Sequence, residues 1–212
     1  YAGIGVWRAA FKPLVDRIAD TDIRLQWFCC DRSTGVTDAS GNRITLIRDT
    51  QSPVAVEYQA VKFIGTGRDN IKAGVFSGWE LGDYIYLRSE EAYMIKMEAL
   101  AHKSSAEAVT ELNSFMKTRQ PDYNYTFTNK ADLIEEIIYQ KRVEFWGEGL
   151  EYIDNRRLNI PVDRTDETWG AENNNHFSAG KFRYNQEDRP FLYQLPLSEI
   201  ENNSQLSPSD QN

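Results

Sequence analysis

Along the 212 residues the hydrophobic positions fall into three regimes. The first 80 are irregular, broken repeatedly by Asp and Gly. A helix fits Ala9–Ala19, started or kinked by Pro13. A short hairpin fits Arg32–Arg48, where Ala39-Ser40-Gly41-Asn42 turns into the alternating run Arg43-Ile44-Thr45-Leu46-Ile47. From Tyr86 to about Arg157 the period becomes helical, in four segments. Leu87–Lys103 is the first, with Leu87, Met94, Ile95 and Ala99 as its apolar markers. Ser104 with Glu107 then forms a capping box for a second helix, Ala106–Arg119, which carries Ala108, Leu112, Phe115 and Met116 on one side and stops before Pro121. Asn129 is a good N-cap for a third, Lys130–Gly147, and Gly149 precedes a short fourth, Leu150–Arg157. Beyond Asn159 the periodicity dissolves. Ile160–Arg189 is polar and aromatic, with the composition of an ordered surface loop, and the tail Leu206–Asn212 is expected to be mobile unless docked.

Two helix pairs with brief hinges suggest tetratricopeptide-like hairpins or an ordinary helical bundle. The fold class expected is therefore mainly α, with long irregular loops and at most a small β-hairpin. It divides into a loop-rich segment (1–85), helical hairpins (86–158) and a loop region with a closing tail (159–212).

Charges sit inside the apolar stripes. With Leu87 at zero and about 100° per residue, Met94 falls near 340°, Ile95 near 80°, Glu91 near 40° and Glu98 near 20°. On the third helix Leu133, Ile134, Ile137, Ile138 and Phe145 span an arc of about 140°, and Glu144 lies within it. A lone buried carboxylate is too costly to be incidental. Ion pairing with Arg88 or Arg142 between helices is the structural answer, making Arg88, Glu91, Glu98, Arg142 and Glu144 a set of buried structural charges. The catalytic answer is an α-helical glycoside hydrolase. Against it, Glu91 and Glu98 lie about 10.5 Å apart along one helix, whereas paired glycosidase acids lie about 5–9.5 Å apart, and substrate cannot reach buried glutamates.

Composition narrows the field. With 24 Lys+Arg against 32 Asp+Glu, the net charge of −8 weighs against nucleic acid or an anionic membrane as partner. The adjacent cysteines Cys29 and Cys30 read as buried thiols, since a vicinal disulfide is strained. His102 and His176 lie outside any ligand spacing, so no metal or other cofactor is expected. Nothing approaches the ~20 apolar residues of a membrane span. Gly65-Thr66-Gly67-Arg68 lacks the Lys-Ser/Thr of a phosphate loop and reads as a turn.

The helices themselves carry a resemblance. Tyr86-Leu87-Arg88, then Glu91-Ala92-Tyr93-Met94, then Glu98-Ala99-Leu100 is similar to a helix of the SusD/RagB family of nutrient-binding outer-membrane lipoproteins of Bacteroidetes. Arg142-Val143-Glu144-Phe145, Glu148-Gly149, Tyr152, Asp154 and Arg156-Arg157 follow that family's "ER-x-x-EF…EG-x-R-x-x-D-x-x-R" segment. Tyr193-Gln194-Leu195-Pro196-Leu197-Ser198-Glu199-Ile200 resembles its closing "LPIP-x-SEI", and Asn203, Leu206 and Gln211-Asn212 resemble its end. Val61-Lys62-Phe63 resembles the lysine-aromatic segment before the first helix. The likeness runs from about Tyr58 to Asn212. Gln140 replaces a glutamate, Glu151 an arginine, Asn155 a leucine and Gln194 a proline.

The resemblance implies a binder with no catalytic residues: a protein that captures an oligosaccharide and hands it to a SusC-type TonB-dependent transporter. It also implies that these residues are the C-terminal portion of a longer protein, held at the outer membrane only by a lipid anchor outside this sequence. Alone, they would expose an apolar helix face. A glycan site needs aromatic faces beside Asn, Asp, Gln and Arg. The loop Phe76-Ser77-Gly78-Trp79-Glu80 and the stretch Trp169–Tyr184 have that chemistry, which makes Trp79, Trp169, Asn174, Phe177 and Tyr184 the candidate ligand residues. A purely protein-binding helical scaffold, with the transporter as its ligand, is the alternative.

Overall fold

The computed structural model describes residues 9–29, 58–60, 62, 86–188 and 194–210. The hairpin expected at Arg32–Arg48, the turn at Gly65–Arg68, the loop bearing Trp79 and the side chains of Cys29 and Cys30 lie outside them. The chain forms two compact units, Tyr1–Glu144 and Phe145–Asn212.

In the first unit three helices pack together: α2 (Ser89–Lys103) against both α3 (Ser105–Met116) and α4 (Lys130–Glu144), and α3 against α4. α2 buries Met94, Met97, Glu98 and Ala101, an i, i+3, i+4, i+7 stripe. The face expected from the sequence is corrected here. Leu87 precedes the helix, and both it and Ile95 are exposed. Ala99 is exposed as well, so of the expected markers only Met94 is buried; it carries the seam with Met97, both flexible enough to fill irregular gaps. The joint to α3 falls at Ser104 as expected, but no side-chain cap bond forms there, so the Ser104–Glu107 capping box is absent. α3 buries Ala108, Leu112 and Met116, and Phe115 is half-buried. It ends at Met116, three residues sooner than the pattern predicts, because Lys117–Arg119 turn ahead of Pro121. At the start of α4 the Asn129 Oδ1 accepts the Asp132 N–H at 3.0 Å, the N-cap the sequence predicts. The second half of α4 is covered nearly all round, from Ile137 through Lys141 and again at Val143 and Glu144.

A short α1 (Lys12–Asp16) replaces the longer helix expected there, with Pro13 in its first turn. A 3-10 turn, Ile23–Trp27, follows, started by the Asp22 carboxylate accepting the Arg24 N–H. It leads into β1 (Phe28–Cys29), antiparallel to β2 (Gln59–Ala60) with Phe28 opposite Ala60. The Ile23 N–H donates to the Arg119 carbonyl at 2.9 Å, which fastens this turn to the end of α3.

The second unit starts with α5 (Leu150–Arg157), on the bounds the sequence predicts. Gly149 before it holds φ +89°, the left-handed region that glycine enters without strain. Asp154, buried on α5, pairs with Arg157 at 2.8 Å. Beyond it, β3 (Val162–Asp163) runs antiparallel to β4 (Arg183–Tyr184), Val162 opposite Tyr184. A one-turn α6 (Asp166–Trp169) and a 3-10 turn (Ser178–Gly180) lie between the two strands. The side chains of Arg156 and Gln186 clamp this region, donating to the Gln186 and Ile160 carbonyls respectively. α7 (Leu197–Asn202) follows Pro196 and buries Ile200. Two-residue strands carry no readable alternation, so the sequence showed this region only as loop.

Candidate functional site

Two polar assemblies stand out, one in each unit. In the first, Glu144 at the end of α4 is 1% exposed and ringed by guanidiniums. Arg88 reaches its Oε1 at 3.0 Å and Arg119 the same oxygen at 3.1 Å, while Arg24 approaches Oε2 at 3.5 Å. Its carbonyl accepts from Lys62 at 2.6 Å and Arg88 at 2.8 Å. Arg24, itself buried, is held by Asp22 at 2.7 Å and by the Gln140 Oε1 at 2.5 Å. Glu90 completes the ring against Arg119 at 3.2 Å. Three guanidiniums thus meet three carboxylates drawn from four separate stretches of chain. Burial by itself would raise the Glu144 pKa; the Arg119 hydrogen bond, the charges of Arg24 and Arg119 and the Arg88 hydrogen bond outweigh it and hold the carboxyl below its ordinary range. A carboxylate kept ionised and saturated with donors has no proton to give and no lone pair free for substrate. This assembly joins helices.

The sequence-predicted charges divide accordingly. Glu144 and Glu98 are buried, whereas Arg88, Glu91 and Arg142 are only half-buried. Glu90, not its neighbour Glu91, belongs to the ring, and Arg119 and Arg24 stand where Arg142 was expected beside Glu144. Asp22, Arg24, Glu90 and Arg119 were missed. The one available signal was Gln140, a departure from the family pattern that here meets Arg24.

The second assembly lies between β3 and β4. The Asp163 carboxylate accepts from the Thr165 N–H and hydroxyl, from the Thr168 hydroxyl at 2.7 Å and from Arg183 at 3.0 Å. Burial pushes its pKa up, but the Thr168 and Thr165 hydrogen bonds with the Arg183 charge bring it below the usual value. The Asp163 carbonyl accepts the Trp169 indole N–H at 2.9 Å, which fixes the ring while leaving it 37% exposed. Asp166 takes Lys181 at 2.7 Å and the Asn174 amide at 2.8 Å. That same amide nitrogen donates to the Arg164 carbonyl, and the Asn174 Oδ1 accepts the His176 N–H. Phe182 stacks tilted on Tyr184 at 4.8 Å and lies under the Arg164 guanidinium at 4.9 Å. Phe177 stands 75% exposed, with its ring edge against Gly180, where an added Cβ would come within 3.3 Å.

The candidate ligand residues separate on this geometry. Trp169 and Phe177 offer apolar surface. Tyr184 is half-buried in the Phe182 stack, and Asn174 is buried with its amide committed to the loop's own backbone. Trp79 lies outside the described residues. No group of His, Cys, Asp and Glu that could hold a metal occurs among the described residues, and none of the described helices is long and apolar enough to cross a membrane.

A cleft of about 420 Å³ in the first unit, unforeseen from the sequence, is lined by Arg17, Tyr123, Tyr125, Glu136, Tyr139 and their neighbours. The carboxylate of Glu136 there is already occupied: it accepts from Arg17 at 2.6 Å, Gln140 at 2.7 Å and Tyr123 at 2.8 Å.

Comparison with known proteins agrees with the sequence motifs. Residues 58–212 match the model of the SusD family. Among solved structures, that of a SusD-like carbohydrate binding protein from Bacteroides vulgatus ATCC 8482 matches with a TM-score of 0.58 and 21% identity, over 91% of this chain and 40% of that one. The chain therefore spans two-fifths of that protein's length, and at that identity the match speaks for the fold. None of the curated proteins matches.

Proposed function

Because the chain belongs to the SusD family, we propose that it binds carbohydrate through the β3–β4 loop and carries out no chemistry on it. The observation that carries this reading is Trp169, an exposed indole whose orientation is fixed by its own N–H bond to Asp163. Sugar rings present flat C–H faces edged by hydroxyls, and a rigid aromatic face binds them with little ordering cost. Phe177 adds a second apolar face in the same loop. Support also comes from the similar solved protein, which is described as carbohydrate binding. The ligand is an oligosaccharide captured at the outer-membrane surface and passed to a SusC-type TonB-dependent transporter.

Isothermal titration of the chain against a glycan panel tests this. Binding of at least one oligosaccharide is expected, weakened tenfold or more by Trp169→Ala with the far-UV circular dichroism unchanged. Trp169→Ala binding as tightly as the parent chain would remove the loop from the site. Absence of binding to any glycan, with co-purification of the transporter, would favour a protein-binding scaffold. Release of shortened products would mark a hydrolase.

A further inference from the structure

The charge arrangement around Trp169 speaks to the class of glycan, an inference that rests on the carbohydrate-binding reading above. Residues 162–188 hold four groups able to carry positive charge: Arg164, His176, Lys181 and Arg183. Lys181 is paired with Asp166 at 2.7 Å and Arg183 with Asp163 at 3.0 Å. His176 is half-buried, and burial together with the nearby charges of Arg164 and Lys181 depresses its pKa, so it is neutral at pH 7. Arg164 lies flat over Phe182, half-buried, with its backbone N–H bonded to the Phe182 carbonyl.

The acids are distributed differently. Glu167 and Glu172 are exposed, two residues before and three after Trp169, and neither has a cationic partner among the described residues. Glu172 folds back so that its Oε1 lies 2.7 Å from where a Cβ on Gly170 would be, which places the carboxylate against the residue next to the indole. Glycine at that position, with φ +77°, leaves the space the carboxylate occupies.

We propose that the Trp169 site selects uncharged oligosaccharides and rejects acidic ones, because Lys181 and Arg183 are already committed to Asp166 and Asp163 and Arg164 is held over Phe182, while Glu167 and Glu172, close to Trp169 in the chain, keep their charge in solvent with only the Asn173 amide bonded to Glu172. An incoming uronate or sulfate would have to break one of those internal pairs, draw the Arg164 guanidinium off the Phe182 ring, or bind against like charge.

The test uses neutral oligosaccharides (maltohexaose, cellohexaose and mannohexaose, with further neutral plant and host glycans), each beside its C6-oxidised uronate counterpart of the same linkage, at 20 mM and 300 mM salt. At low salt the neutral member is expected to bind at least fivefold more tightly. That ratio is expected to fall at high salt, where exposed charges are screened, and to fall toward one in the Glu167→Gln, Glu172→Gln double variant. Equal or tighter binding of the uronate, lost on Arg164→Gln, would overturn the charge selection while leaving carbohydrate binding intact. A ratio that the double variant does not move would overturn the assignment of rejection to these two carboxylates. Failure of every glycan, neutral and acidic, to bind would overturn the carbohydrate-binding reading and this one with it.

Discussion

The Glu144 ring and the β3–β4 loop are both dense in polar side chains, yet they spend their hydrogen bonds in opposite ways. Glu144 gathers Arg88 from 56 residues before it, Arg119 from 25 before, and Arg24 from the 3-10 turn far upstream. Each bond crosses between elements, and the groups at its centre are shielded from water. In the loop, Asp163 and Asp166 bond only to partners within about twenty residues, and the bonds stiffen one segment against itself. What remains over differs accordingly. The ring leaves nothing for a ligand, whereas the loop keeps the rings of Trp169 and Phe177 in solvent. A polar cluster inside a helical protein is thus a poor guide to function until the direction of its bonds is known.

The largest effect should come from breaking the ring. Glu144→Gln keeps the shape but leaves three guanidiniums facing a neutral amide. Loss of one partner of a buried ion pair typically costs about 3–5 kcal/mol, and urea denaturation at pH 7 should show a loss in that range. A loss below about 1 kcal/mol would mean that the ring is not a structural keystone. The loop, built from its own contacts, should be indifferent to this change, so any glycan affinity measured well below the new denaturation midpoint should be unaltered.

Acid sharpens the same contrast. The folded pKa of Glu144 is lowered from the usual 4.5, so its contribution to stability is complete above that value and is lost as pH falls through the lowered folded value. Denaturation midpoints taken from pH 7 to pH 3 should fall on the acid side, and the fall should be shallower in Glu144→Gln. An identical acid limb in both proteins would assign acid lability to other carboxylates.

How much of this was readable beforehand follows from the range of the interactions. Glu144 was visible because a helical period alone puts it on the apolar arc of α4. Its partners were not, because nothing local in the sequence ties Arg119 or Asp22 to it. Glu98 is buried even though Leu87, Ile95 and Ala99, three of the four apolar markers that orient α2, are exposed; Met94, the fourth, is buried and carries the seam together with Met97. The family motifs supplied the fold where periodicity alone left bundle and hairpin array equal. In the loop, composition pointed to aromatic and amide chemistry but could not separate an outward ring such as Trp169 from an inward staple such as Asn174. That distinction depends on which backbone carbonyl each N–H meets, and two-residue strands give no period from which to infer it.

A moderate effect is expected from Asp163→Ala. It removes the acceptor for Thr165, Thr168 and Arg183 together, and lost hydrogen bonds of this kind cost about 1–2 kcal/mol net. Because the first turn of α6 is then unpinned, glycan affinity should weaken several-fold through Trp169 although Asp163 offers its carbonyl, not its carboxylate, to the indole. Unchanged affinity at reduced stability would show that the indole is positioned by the backbone bond alone.

The smallest effect belongs to Glu91→Gln. Sequence geometry puts Glu91 inward as firmly as Glu98, but in the folded chain it is half-buried, and its neighbour Glu90 is the one that meets Arg119. Substitutions outside buried networks usually stay within about 0.5 kcal/mol, and that is the bound expected here in urea denaturation. Glu90→Gln should cost more than Glu91→Gln, since it removes one of the three carboxylates that balance the three guanidiniums. The reverse order would mean that angular position on α2, rather than membership of the ring, decides which glutamates hold the helices together.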